Sequence, residues 1–479
     1  MSESQPATEF LVRGRHVLTM AGLPPVSERV RSHRPQLHGV IPDGAVHVRD
    51  GEIEAVDSFA ALRHRHPGLP VHGDGTGLVI PGLVSTHTHL SEALATGMGS
   101  ELSLFEWGAD IVGPLGLALT REIAAEGTAL RSVEMLLSGV TTVNDMFCHG
   151  NVGSRASLGV VDGLERSGMR AVVSYGAEDV PIATLTDLSS DRILEDILAE
   201  QLDLAARAAT APLVTFRFGV GTMLGQSDEL LAAGVDLCRE HGWAVHTHLA
   251  EAREEITSSQ HRWGRRTIAH AEHLGLFERP LIAGHCVWVT ESDVATFARA
   301  GVAVAHNPVA NMILASGVCP VPRLRAAGVP VGIGTDGAAS NDSQDMLQAV
   351  KSAALLQKVH HLDALVIDAF DVLTMATIEG ARALGLDDLI GSLEPGKRAD
   401  IVLLQDTVDV SVLHDPVAQL VYGASPRSVR DVWVDGRQVV ADHRCVTVDE
   451  ATQIARCRPL IEQIGRDSGF IDSGLSVIA

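Results

Sequence analysis

The chain has 479 residues, 46% of them hydrophobic, and a mean hydropathy of +0.16. That length suits one barrel-sized domain with an appendage, or two to three average domains. Lys and Arg total 37 against 60 Asp and Glu, a formal charge of −23, which argues against nucleic acid and anionic membrane as partners, because both select basic patches. The acidic residues are dispersed and read as a solvated surface rather than an interaction arm. The opening MSESQPATEF has no basic n-region and no apolar h-region, so no signal peptide is expected. No apolar run reaches the ~18 residues of a membrane span. Cysteines 148, 238, 286, 319, 445 and 457 are scattered without a CxxC pair, as suits reduced thiols in a cytoplasm, the expected location.

In chain order, Phe10–Val12, Ala45–Val48 and Glu52–Val56 read as short strands, with Asp50-Gly51 as a two-residue hairpin turn. Residues 22–43, rich in Pro, Ser and Arg, read as an inserted loop. From about 80 to 385, strand-like runs alternate with helical stretches. The strand candidates are 79–87, 139–144, 171–175, 213–219, 243–248, 280–285, 302–306 and 329–335, with amphipathic segments such as 121–137, 192–209 and 227–241 between them. Eight βα units over this span predict a TIM barrel of the α/β class. An open doubly wound sheet is the competing architecture, but its usual GxGxxG after the first strand is absent. Ile401–Leu404, Val432–Val434 and Gln438–Val440 return to strand grammar. The expected organisation is therefore a catalytic barrel over 80–385 and a small β-sandwich assembled from 1–79 and 386–479.

Five of the expected barrel strands end in His or Asp, where a barrel places catalytic groups. His87 and His89 are two apart, which puts both rings on one face of a strand, and His246 and His248 repeat the spacing. A lone strand-end His is more often structural than a ligand. Four imidazoles converging with Asp336 are hard to explain without an ion, and zinc-type ions take neutral imidazole plus carboxylate while leaving a position for water. A buried carboxylate at Asp336 likewise needs a cation or donors. Glu251, three past His248, could reach such a water, although it also heads an acidic run with Glu254 and Glu255 that reads equally as a solvated face. His285 could orient the water or polarise the bond under attack, or be a core histidine.

The motifs together resemble the amidohydrolase superfamily, in its branch of aromatic and nucleoside deaminases and s-triazine hydrolases. The matching stretches are PGLVSTHTH (81–89), GVTTVND (139–145), HTHLAE (246–251), GHC (284–286), HNPVAN (306–311), GTDGAASND (334–342) and GSLEPGKRAD (391–400). They occur in the family's order and cover nearly the whole chain. The resemblance implies a single divalent ion, Zn2+ or else Fe2+, held by His87, His89, His248 and Asp336. It chooses His248 over His246, which spacing alone leaves open. It further implies Glu251 as proton shuttle, His285 as catalytic histidine, His306 and Asn311 near the pocket, and a homo-oligomer. Binuclear relatives bridge two ions with a lysine, yet the lysines here are 351, 358 and 397, none of them between 80 and 340. The implied reaction is attack of activated water on an electron-poor ring carbon, with loss of ammonia.

Two stretches depart from the pattern of adenosine-type members. Their Leu-Leu-Arg-Gly is Leu94-Ala95-Thr96-Gly97 here, and their Pro-His-x-Pro-Tyr falls at Gly219–Met223. Both departures remove groups that contact nucleosides. Glu92 is expected to face the pocket and accept from ring NH or amino donors of a purine-, pterin-, nucleoside- or triazine-like substrate. Trp107 either stacks on that ring or packs in the core. The alternatives are a non-deaminating hydrolase, releasing chloride or alkylamine or opening a cyclic amide, and a metal-free scaffold, which would have eroded ligands.

Overall fold

The computed structural model describes residues 9–22, 38–99, 101–180, 192–412 and 414–470. Of the expected loop at 22–43, residues 23–37 lie outside the described residues. By compactness the chain divides into two units. One holds 1–84, 135–142 and 345–447; the other holds 85–134, 143–344 and 448–479.

The second unit carries most of a parallel sheet whose strands follow one another around a (β/α)8 TIM barrel. These are Leu83–Thr88, Val140–Cys148, Arg170–Gly176, a divided fourth strand, Val245–Leu249, Leu281–His285, Ala303–His306 and Val331–Ile333. The fourth strand closes the ring. Its first piece, Val214–Phe216, pairs with the third strand, and its second, Phe218–Thr222, pairs with the fifth. Arg217 sits at the break and donates its backbone N–H to Val173 O at 2.9 Å. The eighth strand returns to the first through Ile333 and Ser85. The barrel strands are almost wholly buried, Thr215 in the fourth being the exposed exception, so polar and apolar residues do not alternate along them.

Local chemistry sets the crossover helices. Ser227 caps the helix Asp228–His241 through Leu230 N, and Gly242 ends it at φ +72°. Thr290 and Asp293 form a reciprocal capping box for Glu291–Ala300, which stops at Gly301.

In the first unit, strands from both ends of the chain build one mixed sheet of nine strands among the described residues. Its path runs from Arg444–Cys445 through Ile401–Leu404 and Leu78–Pro81 to Glu9–Leu18, Val40–Arg49 and Glu52–Ser58. Phe10, Val12, Val46, Val48, Ile53, Val79, Ile401, Leu403 and Trp433 all point into one cluster, so the sheet folds over its own apolar face. The seam is tight: Ile53 N reaches Lys397 O at 2.8 Å and Ala399 N reaches Gly51 O at 2.9 Å. Gly51, at φ +83°, lies so close to Asp435 O and the Arg398 guanidinium that a β-carbon would collide with them.

Candidate metal centre and active site

The candidate residues gather at the C-terminal ends of the barrel strands. His87 and His89 come from the first strand, His248 from the fifth, His285 from the sixth, and Asp336 follows the eighth. Ligand atoms of His87, His89 and His248 lie within 4.8 Å of one another, as do those of His87, His285 and Asp336. Asp336 Oδ1 is 3.5 Å from His87 Nε2 and 3.4 Å from His89 Nε2.

Hydrogen bonds assign the tautomers. His89 Nδ1 is 2.7 Å from Met146 O, and His248 Nδ1 is 2.6 Å from Gly221 O. A carbonyl only accepts, so both Nδ1 atoms carry the hydrogen and both Nε2 atoms present lone pairs. Those two Nε2 atoms face each other at 3.1 Å. His87 reaches the same state by relay. Ser174 Oγ donates to Asp145 O at 2.8 Å and accepts from His246 Nδ1 at 3.1 Å, so His246 Nε2 accepts from His87 Nδ1 at 2.8 Å. His87 Nε2 is left buried without a hydrogen-bond partner. Burial pushes the His89 imidazole down to about 4 and those of His246 and His248 well down, keeping the rings neutral. Asp336 is buried with its Oδ1 facing these lone pairs, so its carboxylate needs a cation to hold its charge there. Three neutral nitrogen lone pairs and a carboxylate converge on one point, a donor set that fits a zinc-type cation.

A third group of possible ligands joins Glu9 and His47 of the terminal sheet to His66, which ends the helix Phe59–Arg65. Its carboxylate already accepts from Arg49 Nη2 at 2.8 Å and Nε at 3.1 Å, so it needs no metal.

Backbone geometry concentrates strain here. Ala250, His285, Cys286 and Asp336 have φ of +54°, +67°, +50° and +63°, a region costing about 1–3 kcal/mol for a non-glycine residue. The fourth strand is bulged between Val220 and Thr222, which frees Gly221 O from the ladder for His248.

Glu251 is buried, with Ser316 Oγ donating to its Oε1 at 3.3 Å and His285 Nδ1 3.4 Å away. Burial, then the Asp336 charge, pushes its carboxyl well above the usual range. Glu255 accepts from the N–H groups of Ala250 and Glu251 at 2.8 and 2.9 Å, fixing the loop that presents Glu251. Asn311 Nδ2 donates to His285 Nδ1 at 2.9 Å, which places the ring hydrogen on Nε2, 3.8 Å from Asp336 Oδ2. Burial lowers His285 to about 3.

An open cleft of about 900 Å³, counting its solvent-filled mouth, adjoins these groups. His89, His248, Glu251, Glu92 and Trp107 line it, together with Glu178, Gly221 and Thr222. Glu92 Oε2 accepts from Ala339 N at 3.0 Å and packs so closely on Gly337 that any β-carbon there would overlap it. Burial raises its carboxyl well above normal. Trp107 Nε1 donates to Ala339 O at 3.0 Å while its ring borders the cleft. The structure brings the Asn311 amide to His285 Nδ1, where it orients the ring. His306 is buried with neither ring nitrogen hydrogen-bonded. Sequence reasoning missed the positioning relay through His246 and Ser174, and it missed Glu178. His246, the first His of the second HxH pair, was the available signal for the relay; nothing in the sequence marked Glu178.

A TIM barrel with imidazoles and a carboxylate at its strand ends defines a class of metal-centred hydrolytic sites. The Amidohydrolase family model matches residues 78–439, and the chain belongs to this family. It is 40% identical over 399 residues to a 5-methylthioadenosine/S-adenosylhomocysteine deaminase of Desulforudis audaxviator, covering 82% of this chain and 89% of the relative. It is 37% identical over 417 residues to a 5'-deoxyadenosine deaminase of Methanothermobacter thermautotrophicus, covering 86% and 92%. Among solved structures, an adenosine deaminase from Xanthomonas campestris with bound zinc superposes with a TM-score of 0.85 at 31% identity, covering 95% of this chain and 98% of that one. No helix among the described residues is long and apolar enough to cross a membrane.

Proposed function

We propose that this protein is a metal-dependent hydrolytic deaminase acting on a small N-heteroaromatic compound. The observation that carries the reading is the convergence of three imidazole lone pairs with Asp336 beside a buried Glu251–His285 pair. The deaminase relatives support it. One divalent ion per chain, Zn2+ or else Fe2+, would be held by His87, His89, His248 and Asp336; when bound it supplies Lewis-acid activation of water near neutral pH.

The remaining steps belong to the chain's own groups. Glu251, with its raised proton affinity, takes one proton from the attacking water and delivers it to the ring nitrogen; it then takes the second proton from the hydroxyl added to the ring carbon and delivers it to the amine, which leaves as ammonia as the C–N bond breaks and the carbonyl forms. His285, neutral and carrying its hydrogen on Nε2, donates toward the oxygen that adds to the ring carbon. Asn311 holds that tautomer. Glu92 accepts donors from the ring, and Trp107 offers its face to it.

The test is metal analysis of the purified protein with ammonia release from a purine, pterin and triazine panel. About one equivalent of metal and release from at least one aminated ring are expected. Glu251→Gln should lower kcat by roughly 10²–10⁴-fold, the usual worth of a positioned proton shuttle. Chloride or alkylamine release without ammonia would select a non-deaminating hydrolase instead.

A further inference from the structure

Glu178 follows the third barrel strand by two residues and belongs to neither the metal cluster nor the Glu251–His285 pair. Its side chain is nevertheless 3% exposed and forms part of the cleft wall. Its geometry is fixed. Gly225 N donates to Thr222 Oγ1 at 3.0 Å, so the hydroxyl hydrogen points outward and is given to Glu178 Oε1 at 2.7 Å. Gly225 packs against the carboxyl so closely that a β-carbon there would overlap it. Next to it, Gly221 places no side chain into the cleft.

The rest of the lining sets what this carboxyl meets. His89, His248 and Glu251 define the end where bonds break. The described lining holds Glu92, Glu178, Glu251 and Glu255 but no Lys or Arg. A ligand therefore meets acceptors, in an otherwise apolar cleft.

We propose that Glu178, anchored by Thr222, is a specificity-determining residue that selects heteroaromatic substrates carrying a second N–H donor, an amino group on the ring beyond the one removed. This rests on the deaminase reading above. A buried carboxyl placed to accept a donor adds a hydrogen bond for a substrate that carries the donor and none for an analogue lacking it.

The test uses two matched pairs, 2,6-diaminopurine against adenine and 2,4-diamino-1,3,5-triazine against 2-amino-1,3,5-triazine, on zinc-loaded protein. Calorimetric Kd is measured for every compound, and kcat and KM wherever ammonia is released. The diamino member should be favoured by about tenfold to a hundredfold, the worth of one hydrogen bond to a charged group, and mainly in Kd and KM. Glu178→Ala should bring the ratio close to one, and Thr222→Val should bring it partway. Equal affinities in the unaltered protein, no binding by any of the four compounds, or a preference that survives Glu178→Ala in a protein with a normal thermal melt would each overturn the proposal. If Glu178→Ala does not fold, the unaltered ratio and Thr222→Val decide. Failure of every aminated ring to release ammonia would overturn the deaminase reading instead, and the Kd ratios would still judge Glu178.

Discussion

His89 and His248 face each other through Nε2 atoms 3.1 Å apart, and neither nitrogen has a hydrogen to offer the other. Each ring has committed its hydrogen to a carbonyl, Met146 O or Gly221 O. Two lone pairs at that distance repel unless a cation lies between them. Metal should therefore stabilise the folded protein. Stripping with a chelator should lower Tm, and zinc at a thousandfold its Kd should restore roughly 4 kcal/mol. Calorimetric melts with and without zinc measure this. A Tm indifferent to metal would rule out the centre.

His246 has the same spacing as His248 but another task. Its Nε2 accepts from His87 Nδ1, and its Nδ1 donates to Ser174. Partners of this kind orient a ligand and typically change metal affinity by 10–100-fold. His246→Ala should weaken zinc binding by about that factor while retaining about one equivalent at saturation, and His248→Ala should weaken it much further. A chelator competition titration separates the two. Equal losses would mean His246 is itself a ligand.

That contrast marks how far the sequence could be read. Strand grammar located the barrel strands to within about four residues, but the candidate 79–87 ran together Leu78–Pro81, which pairs in the terminal sheet, and Leu83–Thr88, the first barrel strand. It could not show that the fourth strand breaks at Arg217 and bulges at Gly221, since a bulge depends on its neighbours' register. The histidines and Asp336 were legible because their spacing on strand ends repeats. The choice between His246 and His248 rests on which ring finds a carbonyl and which finds a hydroxyl, a tertiary fact. Asn311 was expected near the pocket, but its hydrogen bond to His285 is a tertiary contact that no spacing announces. Glu178 was invisible because its strand end carries no motif, and only folding brings it beside Thr222.

Glu178 also predicts a pH dependence of stability. Burial, partly offset by the Thr222 hydrogen bond, pushes its carboxyl from 4.5 up to about 7. A raised carboxyl is more protonated in the folded state than in the unfolded one. Its contribution is therefore complete below about 4.5 and is lost as pH rises through about 7. The shift is worth about 3 kcal/mol. Glu178→Gln mimics the protonated form, so relative to the unaltered protein it should gain up to that amount between pH 4.5 and 8. Urea unfolding at both pH values, at fixed zinc, tests this. A pH-independent difference would remove Glu178 as the cause.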